Sequence, residues 1–159
     1  MRAFTLVLAS ALALAATAPA LARKAGPITV SDAVVRASLG DSPNSAAYMV
    51  ITNAGARPDR LVSVSCTCAA EAQVHVTRNT GGVMSMEPAG PVVVPAHGRV
   101  AFGPDGMHVM LMGLKGRLVD GARQPMTLRF EHAGPVTASF QVRARITGGG
   151  MGAMPGMNR

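Results

Sequence analysis

From Ile28 onward, the chain is a series of short runs rich in β-branched residues, separated by turn-forming segments. Each of these segments contains Gly together with Asn, Asp or Pro, and they fall at 53–55, 79–82, 95–98, 103–106 and 120–121. No stretch of ten or more residues has convincing helical periodicity. Many short strands at this spacing are typical of a sandwich or barrel, so we predict an all-β domain.

The pattern predicts ten strands, each bounded by turn residues. They cover residues 28–35, 46–52, 60–65, 72–77, 83–87, 91–94, 99–102, 108–112, 126–130 and 136–143.

Residues 1–22 have the features of a cleavable secretory signal peptide. Arg2 provides a positive start, an almost unbroken apolar run follows at 3–16, and small residues precede Arg23. We predict cleavage after Ala22, with Ala20 as the alternative, and export to the periplasm. The apolar run is shorter than the roughly 20 residues that cross a bilayer, so no stable membrane insertion is expected.

The remaining sequence divides into one domain, 23–146, and a Gly- and Met-rich segment, 147–159, which we predict to be a flexible tail. The length of 23–146 suits one hydrophobic core, and we expect a monomer. Tryptophan is absent and there is one tyrosine, so aliphatic residues and methionine must fill the core. Met49 and Met126 are expected there.

The formal net charge is +7, but the basic residues are scattered and form no run that would follow a phosphate backbone. With few aromatic residues available for base stacking, nucleic-acid binding is not expected. His97 and His132 fall in predicted turns, where we expect them to be solvated.

The eleven methionines are notable for their placement beside histidines. If Arg78 pairs with Val83 across the 79–82 loop, antiparallel register places His75 opposite Met86. Side chains alternate along a strand, so His75, Met84 and Met86 then share one face. Directly opposed residues are close enough for an imidazole and a thioether to bind one ion.

A second cluster lies on the predicted strand 108–112. The same two-residue period places His108, Met110 and Met112 on one face, while Val109 and Leu111 point to the other. The sequence does not prove that the two clusters meet, but a small sandwich offers few separate positions for them.

The donor types select a metal. Thioethers are soft and imidazole is borderline, which favours Cu(I) over hard cations and over zinc. Outside the cytoplasm thiols oxidise, whereas methionine cannot form a disulfide, so His and Met suit Cu(I) ligation there.

These residues carry a resemblance to the PCuAC family of periplasmic copper chaperones. Ten residues separate His75 from Met86, twenty-one separate Met86 from His108, and one separates His108 from Met110. The segments similar to that family include 47–49, 51–53, 59–61, 82–86 and 108–114, and the resemblance runs from Ile28 to Val142.

The resemblance implies a cupredoxin-like Greek-key β-sandwich that binds Cu(I). It implies as ligands His75, Met86, His108 and Met110. It also implies transfer of copper toward the binuclear centre of cytochrome c oxidase, either to an oxidase subunit or through a thioredoxin-like assembly factor. Met84 and Met112 share the predicted faces and are candidates for additional ligand positions.

Two further groups are candidates for secondary copper binding. Cys66 and Cys68 depart from the family pattern, and the pair can form a disulfide, remain free or bind copper. Their distance along an extended chain from His75 favours a disulfide or a separate site over a shared one. In the tail, Met151, Met154 and Met157 form either a capture arm for Cu(I) or an inert segment.

Several other functions compete with copper delivery. Copper sequestration without a specific acceptor uses the same site and is the first alternative. A blue-copper electron carrier is disfavoured because no cysteine follows Cys68. No nucleophile motif is present and the cysteine spacing is not thioredoxin-like, so we do not expect an enzyme. A scaffold without a metal remains the fourth reading.

Overall fold

A computed structural model describes residues 26–146 of the chain. Within this range the chain forms ten strands and no helix. They are β1 (Ile28–Arg36), β2 (Asn44–Asn53), β3 (Asp59–Ser65), β4 (Ala69–Thr80), β5 (Val83–Pro88), β6 (Val92–Val94), β7 (Gly98–Phe102), β8 (Met107–Leu114), β9 (Arg123–Phe130) and β10 (Gly134–Arg143).

All ten predicted strands are confirmed, and nine of them lie entirely within the observed bounds. The exception is β6, which begins at Val92 although the sequence predicted a start at Pro91. Proline has no N–H to donate to a neighbouring strand, which accounts for the later start.

The strands form one continuous hydrogen-bonded sheet in the order β5-β4-β8-β2-β1-β10-β9-β3-β6. The second half of β2 pairs with β7, and the only parallel pair among the described strands is β1 with β10. Side chains from strands far apart in this order, including Val109 on β8 and Val94 on β6, belong to one buried cluster. The sheet therefore folds over onto itself as a sandwich around a single core.

The two-residue alternation of the strands determines which side chains enter this core. In β2, every second residue from Ser45 to Asn53 is buried. Met49 and Met126 are each 1% exposed, which confirms that these methionines fill the core. Phe130 and Phe140 are the largest of the fully buried side chains.

A buried carboxylate joins the start of β3 to the turn between β9 and β10. Asp59 Oδ1 accepts hydrogen bonds from the backbone N–H groups of Arg60 (2.7 Å) and His132 (2.9 Å), and Oδ2 accepts one from that of Ala133 (2.8 Å). Burial alone would raise the pKa of Asp59, but these three donors outweigh it and lower the pKa below the usual 3.8. His132 adds a side-chain contact at 3.2 Å from Nδ1 to Oδ1.

Between residues 26 and 146, no helix is long and apolar enough to cross a membrane. The predicted signal peptide, 1–22, and the predicted tail, 147–159, lie outside the described residues, so both remain predictions.

Candidate metal centre

Two histidines face each other on adjacent strands. β4 and β8 pair in antiparallel register with His75 directly opposite His108, so both side chains point to the same face. The ring centroids are 6.1 Å apart, with 45° between the ring planes. His108 is 4% exposed and His75 is half-buried. The two histidine clusters that the sequence predicted separately are thus brought together.

Two methionines lie beside this pair. Met110 is on the face of β8 that carries His108, opposite Gln73 of β4. His108, Met110 and Met86 line one open cleft of about 220 Å³, with Tyr48 of β2 at its wall. His75 does not line this cleft, but its ring lies beside that of His108, which does. One small region therefore contains all four residues of the predicted ligand set.

The hairpin that carries Met86 has a register different from the predicted one. Val83 pairs with Thr80 rather than with Arg78, so Met86 lies opposite Thr77, and His75 lies opposite Pro88. The cause is the turn, which uses two residues instead of four. Gly81 and Gly82 have φ values of 62° and 84°. Positive φ at both central positions is the requirement of the tight hairpin turn, and glycine meets it without steric cost.

The shift amounts to two residues and therefore does not change the face to which any side chain points. Met84 and Met86 remain on the face of His75, as predicted. His75 and Met86 are diagonal neighbours rather than directly opposed, at a spacing that a long side chain can still bridge. Met86 is 60% exposed, so its thioether has room to reorient toward the imidazoles.

Hydrogen bonds orient both rings. His108 Nδ1 lies 3.3 Å from the carbonyl oxygen of Gly106. A carbonyl only accepts, so Nδ1 is the donor, and Nε2 of the neutral ring keeps its lone pair for a metal. His75 Nε2 lies 3.3 Å from Gln73 Oε1, and the Gln73 amide in turn donates to Glu71. In this arrangement the lone pair of His75 is on Nδ1.

The surroundings of His75 keep its ring neutral. Burial lowers the pKa of His75 below the usual 6.5, the neighbouring His108 lowers it further, and Glu71 opposes both with a weaker effect. A histidine binds a metal only in its unprotonated form. At neutral pH the His75 ring is therefore in the state that ligation requires.

Gln73 and Thr77 belong to this region but were not among the predicted site residues. Thr77 lies directly opposite Met86, and its Oγ1 is the one buried side-chain oxygen or nitrogen in residues 26–146 that has no hydrogen-bond partner. The two-residue period that grouped His75 with the methionines also places Gln73 and Thr77 on this face, so the signal was present.

The secondary candidates between residues 26 and 146 do not line the cleft. Met84 is 62% exposed and lies two residue pairs nearer the hairpin turn than Met86, while Met112 lies opposite Glu71, two pairs beyond Met110. Cys66 and Cys68 form a disulfide in the connection between β3 and β4. The tail candidates Met151, Met154 and Met157 lie outside the described residues.

The remaining histidines are not near this site. His132 is at the β9–β10 turn, where its exposed side chain contacts Asp59, and His97 is in the turn before β7. In the part of the chain that the structure describes, no three side chains of the His, Cys, Asp and Glu types converge. The donors that accompany the His75 and His108 pair are thioethers.

Comparison with known proteins identifies relatives over most of the described region. Residues 28–142 match the family described as “Putative lipoprotein LpqE-like”. A curated relative, “Putative lipoprotein Lxx21020” of Leifsonia xyli subsp. xyli (strain CTCB07), is 33% identical over 121 residues, which are 76% of this chain and 72% of the relative.

Solved structures with the same fold are PCuAC domains and a related protein. The copper-bound PCuAC domain from PmoF2 superposes with a TM-score of 0.65 at 30% identity, covering 76% of this chain and 95% of that domain. The solution structure of CuI-DR1885 from Deinococcus radiodurans superposes with a TM-score of 0.61 at 32% identity, over 79% and 85% of the two chains. The cupredoxin-like sandwich predicted from the resemblance is thereby confirmed, and the chain belongs to the LpqE-like family, whose fold here is that of the PCuAC domains.

Proposed function

We propose that the protein is an exported Cu(I) carrier that delivers copper for assembly of the binuclear centre of cytochrome c oxidase. It holds one ion with four ligands, His75, Met86, His108 and Met110. The observation that carries the proposal is the direct pairing of His75 with His108, with the thioethers of Met86 and Met110 on the same face. Relatives whose names describe copper-bound domains support the choice of metal, and relatives named lipoproteins support export.

The separation of the two rings suits a shared ion. A metal–nitrogen bond is about 2 Å long and a ring nitrogen lies about 1 Å from its ring centre, so two imidazoles on one ion have centres up to about 6 Å apart. The observed value is 6.1 Å. This is the upper limit for a shared ion, so the two rings would move closer together to complete a four-coordinate site.

The donor set suits the monovalent ion. Two thioethers and two imidazoles are soft and borderline donors without charge, which Cu(I) accepts and hard cations do not. His108 presents Nε2, because Nδ1 donates to Gly106. His75 binds either through Nδ1 or through Nε2 after releasing Gln73.

The exposure of the site suits transfer. β5 is the edge strand of the sheet and all six of its residues are exposed, so an acceptor can approach Met86 from solvent. Individual thioether bonds to copper are weak, and thiolates of an acceptor can replace them one at a time. The buried His108 then retains the ion until the last exchange.

A competition assay with a Cu(I) chelator tests the ligand set. We expect His75→Ala and His108→Ala to lower Cu(I) affinity by tenfold or more, since each removes one of four bonds. The matched control is His132→Gln, which changes an exposed histidine outside the site. Unchanged affinity in both alanine variants would refute the proposed centre.

Copper sequestration without a specific acceptor uses the same site and is the alternative function. The two are separated in a deletion strain grown at limiting copper. Delivery predicts reduced cytochrome c oxidase activity that the intact gene restores and a His108→Ala gene does not. Normal oxidase activity with lowered copper tolerance would favour sequestration.

A further inference from the structure

A disulfide closes the connection between β3 and β4. It joins Cys66 to Cys68, with their Cα atoms 5.1 Å apart, and only Thr67 lies between them. Both cysteines are half-buried and Thr67 is exposed, so solvent reaches this turn. A crosslink restricts the unfolded chain less when its loop is shorter, and this loop is about as short as a loop can be. Holding distant elements together is therefore not what this bond does.

The two sulfur atoms have different surroundings. The backbone N–H of Cys68 donates a hydrogen bond to Sγ of Cys66 at 3.2 Å. Among the described residues, no donor is found for Sγ of Cys68. A donor directed at Cys66 stabilises the thiolate that forms there when the bond breaks. In thiol–disulfide exchange, the sulfur that forms the more stable thiolate is the better leaving group.

We propose that the 66–68 disulfide is a thiol–disulfide exchange site that a dithiol partner attacks at Cys68. A thiolate of the partner bonds to Sγ of Cys68, the bond between the two cysteines breaks, and Cys66 leaves as a thiolate that the N–H of Cys68 stabilises. The partner's second thiolate then attacks the mixed disulfide and releases Cys68. The partner loses two electrons and becomes a disulfide, and the 66–68 pair gains them with two protons.

The turn can accommodate the two free cysteines that reduction produces. The carbonyl oxygen of Pro125 lies 3.8 Å from Sγ of Cys66 and is available as an acceptor once that sulfur carries a proton. The turn is also held by the backbone, because Lys115 N–H donates to the Cys68 carbonyl at 2.9 Å. Reduction therefore need not release β4 from β8.

The exchange site is distinct from the proposed copper centre. Six residues of β4, 69–74, lie between Cys68 and His75, and seven steps of about 3.3 Å place the two residues roughly 23 Å apart. The inference does not depend on copper binding. It assigns to the chain a second chemistry, the acceptance of electrons from thiols.

Glutathione, a monothiol, tests the direction of attack. The native oxidised protein is mixed with glutathione, quenched with acid at early times and mapped by tandem mass spectrometry. A hydrogen bond to a charged group is worth about a factor of ten, and part of it is present during bond breaking, so we expect about threefold or more adduct on Cys68 than on Cys66. Unfolding in guanidinium removes the bond and should bring the ratio toward one.

Equal adducts, an excess on Cys66 or no adduct at all in the native protein would overturn the inference. Reduction by dithiothreitol should leave the far-UV circular-dichroism spectrum of the β-sandwich unchanged. Unfolding on reduction would instead show that the disulfide is a structural crosslink and would also overturn the inference. His75→Ala should give the same adduct ratio as the native chain, which separates this result from the outcome of the copper assays.

Discussion

His108 lies between two other rings, with the centroid of His75 6.1 Å away on β4 and that of Tyr48 6.5 Å away on β2. His108 is almost fully buried, whereas Met86 on the edge strand is 60% exposed. The proposed centre thus has one firmly held ligand and one accessible ligand. This asymmetry suits a carrier, because an acceptor can displace the exposed donor first.

The titration of His75 tests the electrostatics of the site. Burial lowers the pKa of His75, and the neighbouring His108 lowers it further. We therefore expect an NMR titration midpoint below 6.5 for His75 in the copper-free protein. His108→Gln should raise the midpoint by removing the repulsion, and Glu71→Gln should lower it further. A histidine with a lowered pKa stabilises the fold fully above pH 6.5, and this stability is lost as the pH falls through the folded-state pKa. A midpoint above 6.5 would contradict the structure.

The two exposed methionines of β5 form a matched pair. Met86 lines the cleft with His108, whereas Met84 lies two residue pairs nearer the turn and does not line it. Their exposures are 60% and 62%, so alanine at either position should change the free energy of unfolding little. Chelator competition should show a loss of Cu(I) affinity of about tenfold for Met86→Ala and much less for Met84→Ala. Equal losses would mean that the two thioethers are interchangeable.

Neighbouring residues of β8 should separate stability from binding. Leu111 is fully buried on the core face, and Met110 is half-buried on the cleft face. Leu111→Ala should lower the free energy of unfolding by about 2–5 kcal/mol with Cu(I) affinity retained. Met110→Ala should lower Cu(I) affinity and change the free energy of unfolding little. Urea unfolding and chelator competition on both variants measure the two effects, and the same loss of affinity in both would refute the assignment of faces.

Acid stability should depend on Asp59. Its pKa lies below the usual 3.8, so the stability it contributes is present above pH 3.8 and is lost as the pH falls through its folded-state pKa. Asp59→Asn leaves backbone donors of the β9–β10 turn unsatisfied and should cost about 1–3 kcal/mol at pH 7. It should also flatten the fall in stability below pH 4. The exposed Asp41→Asn is the control, and equal effects of the two changes would contradict the role of the buried carboxylate.

Much of this architecture could be predicted from sequence. The ten strands follow from turn residues and alternation, and the grouping of His108 with Met110 follows from the two-residue period alone. Both are local consequences of covalent geometry, which places alternate side chains on opposite faces whatever the strand pairs with. The family-like spacing of the four predicted ligands was also readable without coordinates.

The hairpin register shows where the sequence was insufficient. The segment 79–82 permits a four-residue loop or a two-residue turn, and the predicted register assumed the longer one. The structure has the tight turn, with both central glycines at positive φ and the Asn79 side chain accepting a hydrogen bond from Gly82 N–H at 3.0 Å. The ligand faces survived this error because the register moved by an even number of residues.

The sequence by itself determined which residues alternate, which segments form strands, and which soft donors are available. Only the tertiary structure decided that β4 lies beside β8 with His75 opposite His108, that Met86 reaches the same cleft, and that Cys66 and Cys68 are joined. Strand order and register depend on how distant segments bury their apolar faces in one shared core. No short stretch of the chain contains that information, because the free energy that selects the pairing belongs to the packed sandwich as a whole.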